Sequence, residues 1–252
     1  WRSERVKVLL KLTWIEIKLL VREPVTLLFS FTFPVLVLVL LGGIFGSDHM
    51  KQGAYQGVKM MDWYVPAFMG LVIASIGTIS LPVHLSSYRE RGVLRRFRAS
   101  GVTEAALLGS QLLVSLGVAL VGAVTIVVLG MVAYGASPAS APAGVALAYV
   151  VGVFCFAGIG MLLASLAPTA RAAQSVGLLL WFIMLFVSGT SAPLDLLPNW
   201  MVDIGKALPL YHLVIALVDP WIGRGVNWMQ LGIVALVGLV TTLLSLRLFR
   251  WE

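Results

Sequence analysis

An all-α protein that crosses a membrane several times is the fold predicted by three features of this sequence. Residues of the set AVILMFWYC make up 60% of the 252, only 12% are charged and the mean hydropathy is +0.98, well above the apolar share of soluble domains. The 18 Lys and Arg and the 11 Asp and Glu fall into a few clusters and are not spread over a folded surface. Between the clusters lie six stretches without Asp, Glu, Lys or Arg, each near the ~20 residues that cross a hydrocarbon core as a helix. These features exclude a soluble enzyme, a disulfide-stapled secreted domain and a disordered tail. The single Cys155 lies in an apolar stretch and can form no intrachain disulfide.

The predicted spans cover residues 25–46, 65–87, 105–134, 143–167, 172–192 and 228–246. The third would measure about 45 Å at 1.5 Å per residue, so it tilts or extends past the headgroups. Residues 136–142, rich in Ser and Pro, form an uncharged connector, and Pro168-Thr169-Ala170-Arg171 joins spans four and five. Counted over alternate segments, Lys and Arg number 14 on the side that carries both termini and 4 on the other. The positive-inside rule then places both termini in the cytoplasm, in a multi-pass protein of the cell membrane. Acidic residues divide 6 to 5 and do not create the bias.

Residues 3–22 precede the first span. Val6, Leu9, Leu10, Thr13, Trp14, Ile17, Leu20 and Val21 recur at helix-face spacing, while Arg5, Lys7, Lys11, Lys18 and Arg22 line the opposite face. Such a helix rests in the cytoplasmic interface, and Pro24, after Glu23, ends it. A passive anchor and an element that transmits motion are both compatible with this pattern.

The connector after span two holds five arginines in ten residues: Arg89, Arg91, Arg95, Arg96 and Arg98, with Glu90. Val93, Leu94 and Phe97 interleave them, as in a short amphipathic helix. Topology and anionic lipid account for positive charge alone, whereas arginine beside an aromatic anchor also makes a protein docking surface. Nucleic acid explains it poorly, because a basic loop is already expected here and no binding fold accompanies it.

Between spans five and six, Pro193, Pro198, Pro209 and Pro220 cut residues 193–227 into pieces too short to cross, although Trp200, Ile204 and Leu208 share a helix face. Tyr211–218 is an apolar run carrying His212. This segment lies on the outer surface or dips into the bilayer where protein covers its backbone.

Three signatures in this order resemble the type-2 permease superfamily of ATP-binding-cassette (ABC) transporters, which includes drug, antibiotic, polysaccharide and teichoic-acid exporters. They are the amphipathic helix ending Arg22-Glu23-Pro24, the run from Arg89 to Ala99, and Ser188 to Trp200 followed by Leu208-Pro209-Leu210-Tyr211-His212-Leu213. Gly101 stands where the family pattern often has Pro. The resemblance implies a homodimer or heterodimer of six-span subunits, each bound to a cytoplasmic ABC ATPase subunit that holds ATP and Mg. Residues 3–22 would be the connecting helix, with Arg5, Lys11, Trp14, Lys18, Arg22 and Glu23 on it. Residues 89–98 would be the coupling helix that docks the ATPase through Arg89, Glu90, Arg91, Leu94, Arg95, Arg96, Phe97 and Arg98. Residues 193–220 would form re-entrant outer helices that cap the pathway, with Pro193, Pro198, Trp200, Pro209, Tyr211 and His212 at the gate.

The chain has no phosphate-binding loop of its own, since its one Gly-Lys pair, Gly205-Lys206, is followed by Ala207. It contains no H-E-x-x-H and no G-x-S-x-G, so no metal or catalytic residue is expected and the chain is not an enzyme by itself. Phe29, Phe33, His84, Trp181, Met184 and Phe186 are candidates for a pathway wall, with helix packing or lipid contact as their other reading. The small-residue ridge Gly144, Ala148, Gly152, Gly160 and Ala164 on span four is expected to pack within the subunit.

The function expected is the permease subunit of an ATP-driven exporter for a hydrophobic or amphipathic compound such as a drug, antibiotic or lipid. A permease for a polysaccharide or other envelope precursor is the alternative within the family. A secondary transporter or channel subunit is the alternative outside it, and the absence of Asp, Glu, Lys and Arg from the spans weighs against ion coupling.

Overall fold

The computed structural model describes residues 32–45, 59–99, 104–192, 194 and 197–248, and among these there are helices and no strands. The amphipathic helix expected over 3–22, with Arg5, Lys11, Trp14, Lys18, Arg22 and Glu23, lies outside the described residues, as do Phe29 and Pro193. Span one is described only over α1 (Phe33–Phe45). The other five predicted spans are all present as helices long and apolar enough to cross a membrane.

Span two forms the axis of the bundle. Helix α2 (Met60–Ser75), a π-helix (Ile76–Ser80) and α3 (Leu81–Glu90) follow one another without a break, and 94% of the most apolar window of this rod is buried. It is longer at both ends than the predicted 65–87, because charge marked the ends of that stretch and here charge is accommodated on the helix. The Asp62 carboxylate accepts the backbone N–H of Ser137 at 2.6 Å. At the other end Arg89 donates to backbone carbonyls of the fourth span.

Pro82 accounts for the π-helix. It has no N–H to donate, and in a regular α-helix its ring would strike the carbonyl of Thr78. The chain widens instead, and the N–H of Leu81 bonds back to the carbonyl of Ile76. The widened turn presents the carbonyls of Gly77 and Thr78 to its neighbours. A Cβ on Gly160 would collide with the first and a Cβ on Gly177 with the second, so both neighbouring helices approach through glycine.

Those neighbours are α6 (Pro142–Leu166) and α7 (Ala170–Val187), spans four and five. The ridge on α6 packs inside the subunit as expected: Gly144 meets Pro220, Gly152 meets Leu213 and Gly160 meets the π-helix. Span three is α5 (Glu104–Tyr134), whose Tyr134 hydroxyl donates to the carbonyl of Val39 on α1. Span six is α10 (Trp228–Leu248). It lies along α6 with Gly158 against Thr241 and Thr242, and its most apolar window is only 22% buried.

Between spans five and six, α8 (Asn199–Lys206) and α9 (Pro209–Trp221) meet at 96°. Leu208 is extended and Pro209 begins the new helix, where its missing N–H is tolerated. Leu210, Leu213, Val214, Leu217 and Val218 are fully enclosed, and α9 packs on α2, α6 and α10. Because Pro220 sits at Gly144 and Leu213 at Gly152, α9 runs alongside the N-terminal half of α6 for two turns.

Candidate coupling and pathway sites

The segment expected as one helix over 89–98 is divided by the structure. Arg89 and Glu90 complete α3, Gly92 takes φ 68, a left-handed conformation that suits glycine, and α4 (Val93–Ala99) starts afterwards. One face of α4 is internal: Leu94 is 2% exposed and clusters with Tyr88 and Leu107, while Phe97 is half-buried and meets Tyr88. Arg91, Arg95 and Arg96 are exposed, and the side chain of Arg98 lies outside the described residues.

Arg89 and Glu90 reach the α6–α7 hairpin. The guanidinium of Arg89 donates to the carbonyls of Ala164, at 2.9 Å, and Ala167. Glu90 accepts the N–H of Ala170 at 2.9 Å, and Thr169 caps the same helix through the N–H of Ala172. These are orphan groups of a helix C-terminus and a helix N-terminus, and each receives the sign of charge its dipole favours. Hydrogen bonds to a distant backbone leave no trace in sequence spacing, so these contacts add to the docking role that the resemblance implies for both residues.

The pathway candidates separate into several environments. Phe33 and Trp181 meet edge-on at 5.0 Å, Phe182 joins them at 5.2 Å from Trp181, and the Trp181 indole N–H points to the carbonyl of Leu71. Trp181 and Met184 are core residues, whereas Phe186 is 54% exposed. His84 is buried on another side of span two, against α5. There Ile76, Ser80, His84, Gln111, Ser115 and Val118 line a cavity of about 10 Å³, one water's worth and too small for cargo in this arrangement. Gln111, which sequence patterning did not single out, is 2% exposed and its amide nitrogen has no hydrogen-bond partner among the described residues.

At the end of the bundle away from α4, the Ser188-Gly189-Thr190-Ser191 signature closes α7. Thr190 donates to the carbonyl of Leu185, Ser191 to that of Phe186, and Gly189 has φ 81. Trp63 donates to the Gly189 carbonyl at 2.9 Å and Tyr64 to that of Ser191 at 3.1 Å, which ties this turn to the start of span two. Of the outer residues, His212 joins three helices: Nε2–H donates to the Lys206 carbonyl that ends α8, and Nδ1 faces Gln230 of α10. Trp200 is 63% exposed on α8, Tyr211 is half-buried beside Gly205, and Pro198 precedes α8 as Pro209 opens α9.

A helical bundle with apolar spans, a short basic helix folded against one end and a sharply bent helix pair at the other defines a multi-pass membrane protein built for transport. The family model of the ABC-2 type transporter matches residues 7–221, and the chain belongs to this family. It is therefore the transmembrane permease component of an ABC transporter, a family whose members associate with an ABC ATPase partner. A comparison with curated proteins gives no match.

Proposed function

We propose that this permease exports a hydrophobic or amphipathic compound, in the range of drugs, antibiotics and lipids, from the cytoplasm or inner leaflet. The observation that carries the reading is the polarity of span two. Among the described residues lining the enclosed polar space toward α5, His84 is the single ionisable side chain, accompanied by Ser80, Gln111 and Ser115, and Asp62 near the outer end accepts the N–H of Ser137. A relay needs a chain of ionisable groups inside the spans, which one imidazole does not make, so this arrangement favours energy supplied from outside the bilayer. The supply is ATP with Mg²⁺ on the ATPase subunit, delivered to the exposed Arg91, Arg95 and Arg96 of α4. Two copies, or this chain and a related one, assemble with both termini cytoplasmic, and the α8–α9 pair serves as the outer gate.

The test is reconstitution with the ATPase subunit in liposomes carrying a fluorescent phospholipid analogue and, separately, a hydrophobic dye. ATP-dependent movement of either supports the reading. Movement driven by a proton or sodium gradient without ATP, or ATP-driven movement of a polysaccharide precursor and of neither probe, overturns it.

A further inference from the structure

We propose that Arg89 and Glu90 are positioning residues that clip the α6–α7 hairpin to the coupling helix, so that motion received by α4 moves spans two, four and five as one body. The inference rests on α4 being the receiver, as proposed above.

Three observations converge on it. Both charged side chains, adjacent at the end of α3, are spent on backbone groups of the same hairpin, Arg89 on the end of α6 and Glu90 on the start of α7. An arginine kept only as a topological signal would stay solvated, yet this one satisfies two carbonyls that a helix C-terminus leaves without partners. Only Arg91 and Gly92 separate α3 from α4, and Tyr88, Leu94, Phe97 and Leu107 pack the two together. Movement of α4 is therefore passed directly to the end of α3, where Arg89 and Glu90 stand. Higher up, α6 and α7 grip the same rod again, through Gly160 and Gly177 at the π-helix. Span two is thus held to the hairpin at two levels, and the charged pair is the lower one.

The test uses the complete complex with its ATPase subunit, in a Cys155→Ala background and diluted with unlabelled subunits. Spin labels are placed at the exposed positions Ala99, on α4, and Ser175, on α7, and in a second pair at Ala99 and Val132, which is 83% exposed near the far end of α5, a span outside the proposed body. Between the nucleotide-free and vanadate-trapped states the Ala99–Ser175 distance should stay fixed while the Ala99–Val132 distance changes. In Arg89→Gln and Glu90→Ala the Ala99–Ser175 distribution should broaden and shift by about 5 Å, one helical turn, on trapping. Arg89→Lys keeps the charge without the two-pronged donor and should shift less. A changing Ala99–Ser175 distance in the parent overturns the clip alone. Variants that track the parent also overturn it. No change in either pair removes the receiver role of α4 and the clip with it.

Discussion

The ring of Phe97 meets the ring of Tyr88 edge-on with centroids 6.0 Å apart, and Tyr88 lies 4.4 Å from the imidazole of His84. The three rings form a column from α4 along α3, the C-terminal part of span two. An aromatic at this place in a basic helix reads from sequence as an anchor aimed at a partner, but Phe97 has a partner in its own chain. Edge-to-face pairs contribute about 0.5–1.5 kcal/mol beyond the area they bury, enough to fix the angle at which α4 presents its arginines.

Replacement of Tyr88 by Leu should therefore reproduce much of the defect of Phe97→Ala. Both variants should reduce the ATPase subunit that copurifies with the permease, and the double variant should lose less than the sum of the two. A silent Tyr88→Leu beside a damaging Phe97→Ala would place the work of Phe97 wholly in the partner's surface.

Exposed arginines are the other half of that presentation. Arg91→Gln with Arg95→Gln leaves Leu94 and Phe97 in place, so α4 should remain seated while the copurifying ATPase falls and becomes more sensitive to salt. Binding that is unchanged between low and high salt would remove these residues from the docking surface.

The spans were legible because the bilayer imposes one simple demand, and uncharged length answers it. Their ends were less so. Asp62 and Arg89 flank the uncharged stretch from which the span over 65–87 is predicted, because a charge in lipid is costly, and the structure keeps both on one helix by giving each a backbone partner across the bundle. The small residues of span four were readable as a packing ridge, but not the π-helix it packs on. That feature depends on Pro82 acting on Thr78 together with Gly160 and Gly177 from distant parts of the sequence. The pathway candidates dispersed for a related reason: aromatic and sulfur side chains such as Trp181 and Met184 fill cores as readily as they line channels.

His212 supplies a test of the outer helix pair. His212→Phe keeps the ring and removes hydrogen bonds to both Lys206 and Gln230, each contributing about 1 kcal/mol. Unfolding temperature in detergent should drop and protease nicking near residues 206–208 should rise, since the end of α8 loses its tie to α9 and α10. Unchanged nicking would show that apolar packing of α9 alone holds the bend.

Gly177 tests the grip on the π-helix. A methyl group added there meets the carbonyl oxygen of Thr78 inside van der Waals contact, and the obstacle is backbone, which cannot rotate away as a side-chain tip can. Gly177→Ala should therefore destabilise by about 1–3 kcal/mol, the usual range for overpacking a filled core. Gly232 is the control, because it is helical on α10 and a Cβ there meets nothing within 4 Å. Gly232→Ala should be neutral or slightly stabilising, since alanine is the better helix former by up to about 1 kcal/mol. The measurement is thermal unfolding of the two variants and the parent in the same detergent, followed by the vanadate-trapped distances of the labelled complex. If the π-helix is held rigidly by α7, the alanine should also loosen span two against span five, widening the Ala99–Ser175 distribution even with Arg89 and Glu90 intact. Equal stability of Gly177→Ala and Gly232→Ala would mean that α7 stands off from span two, and the upper attachment of the rod would be lost from the account.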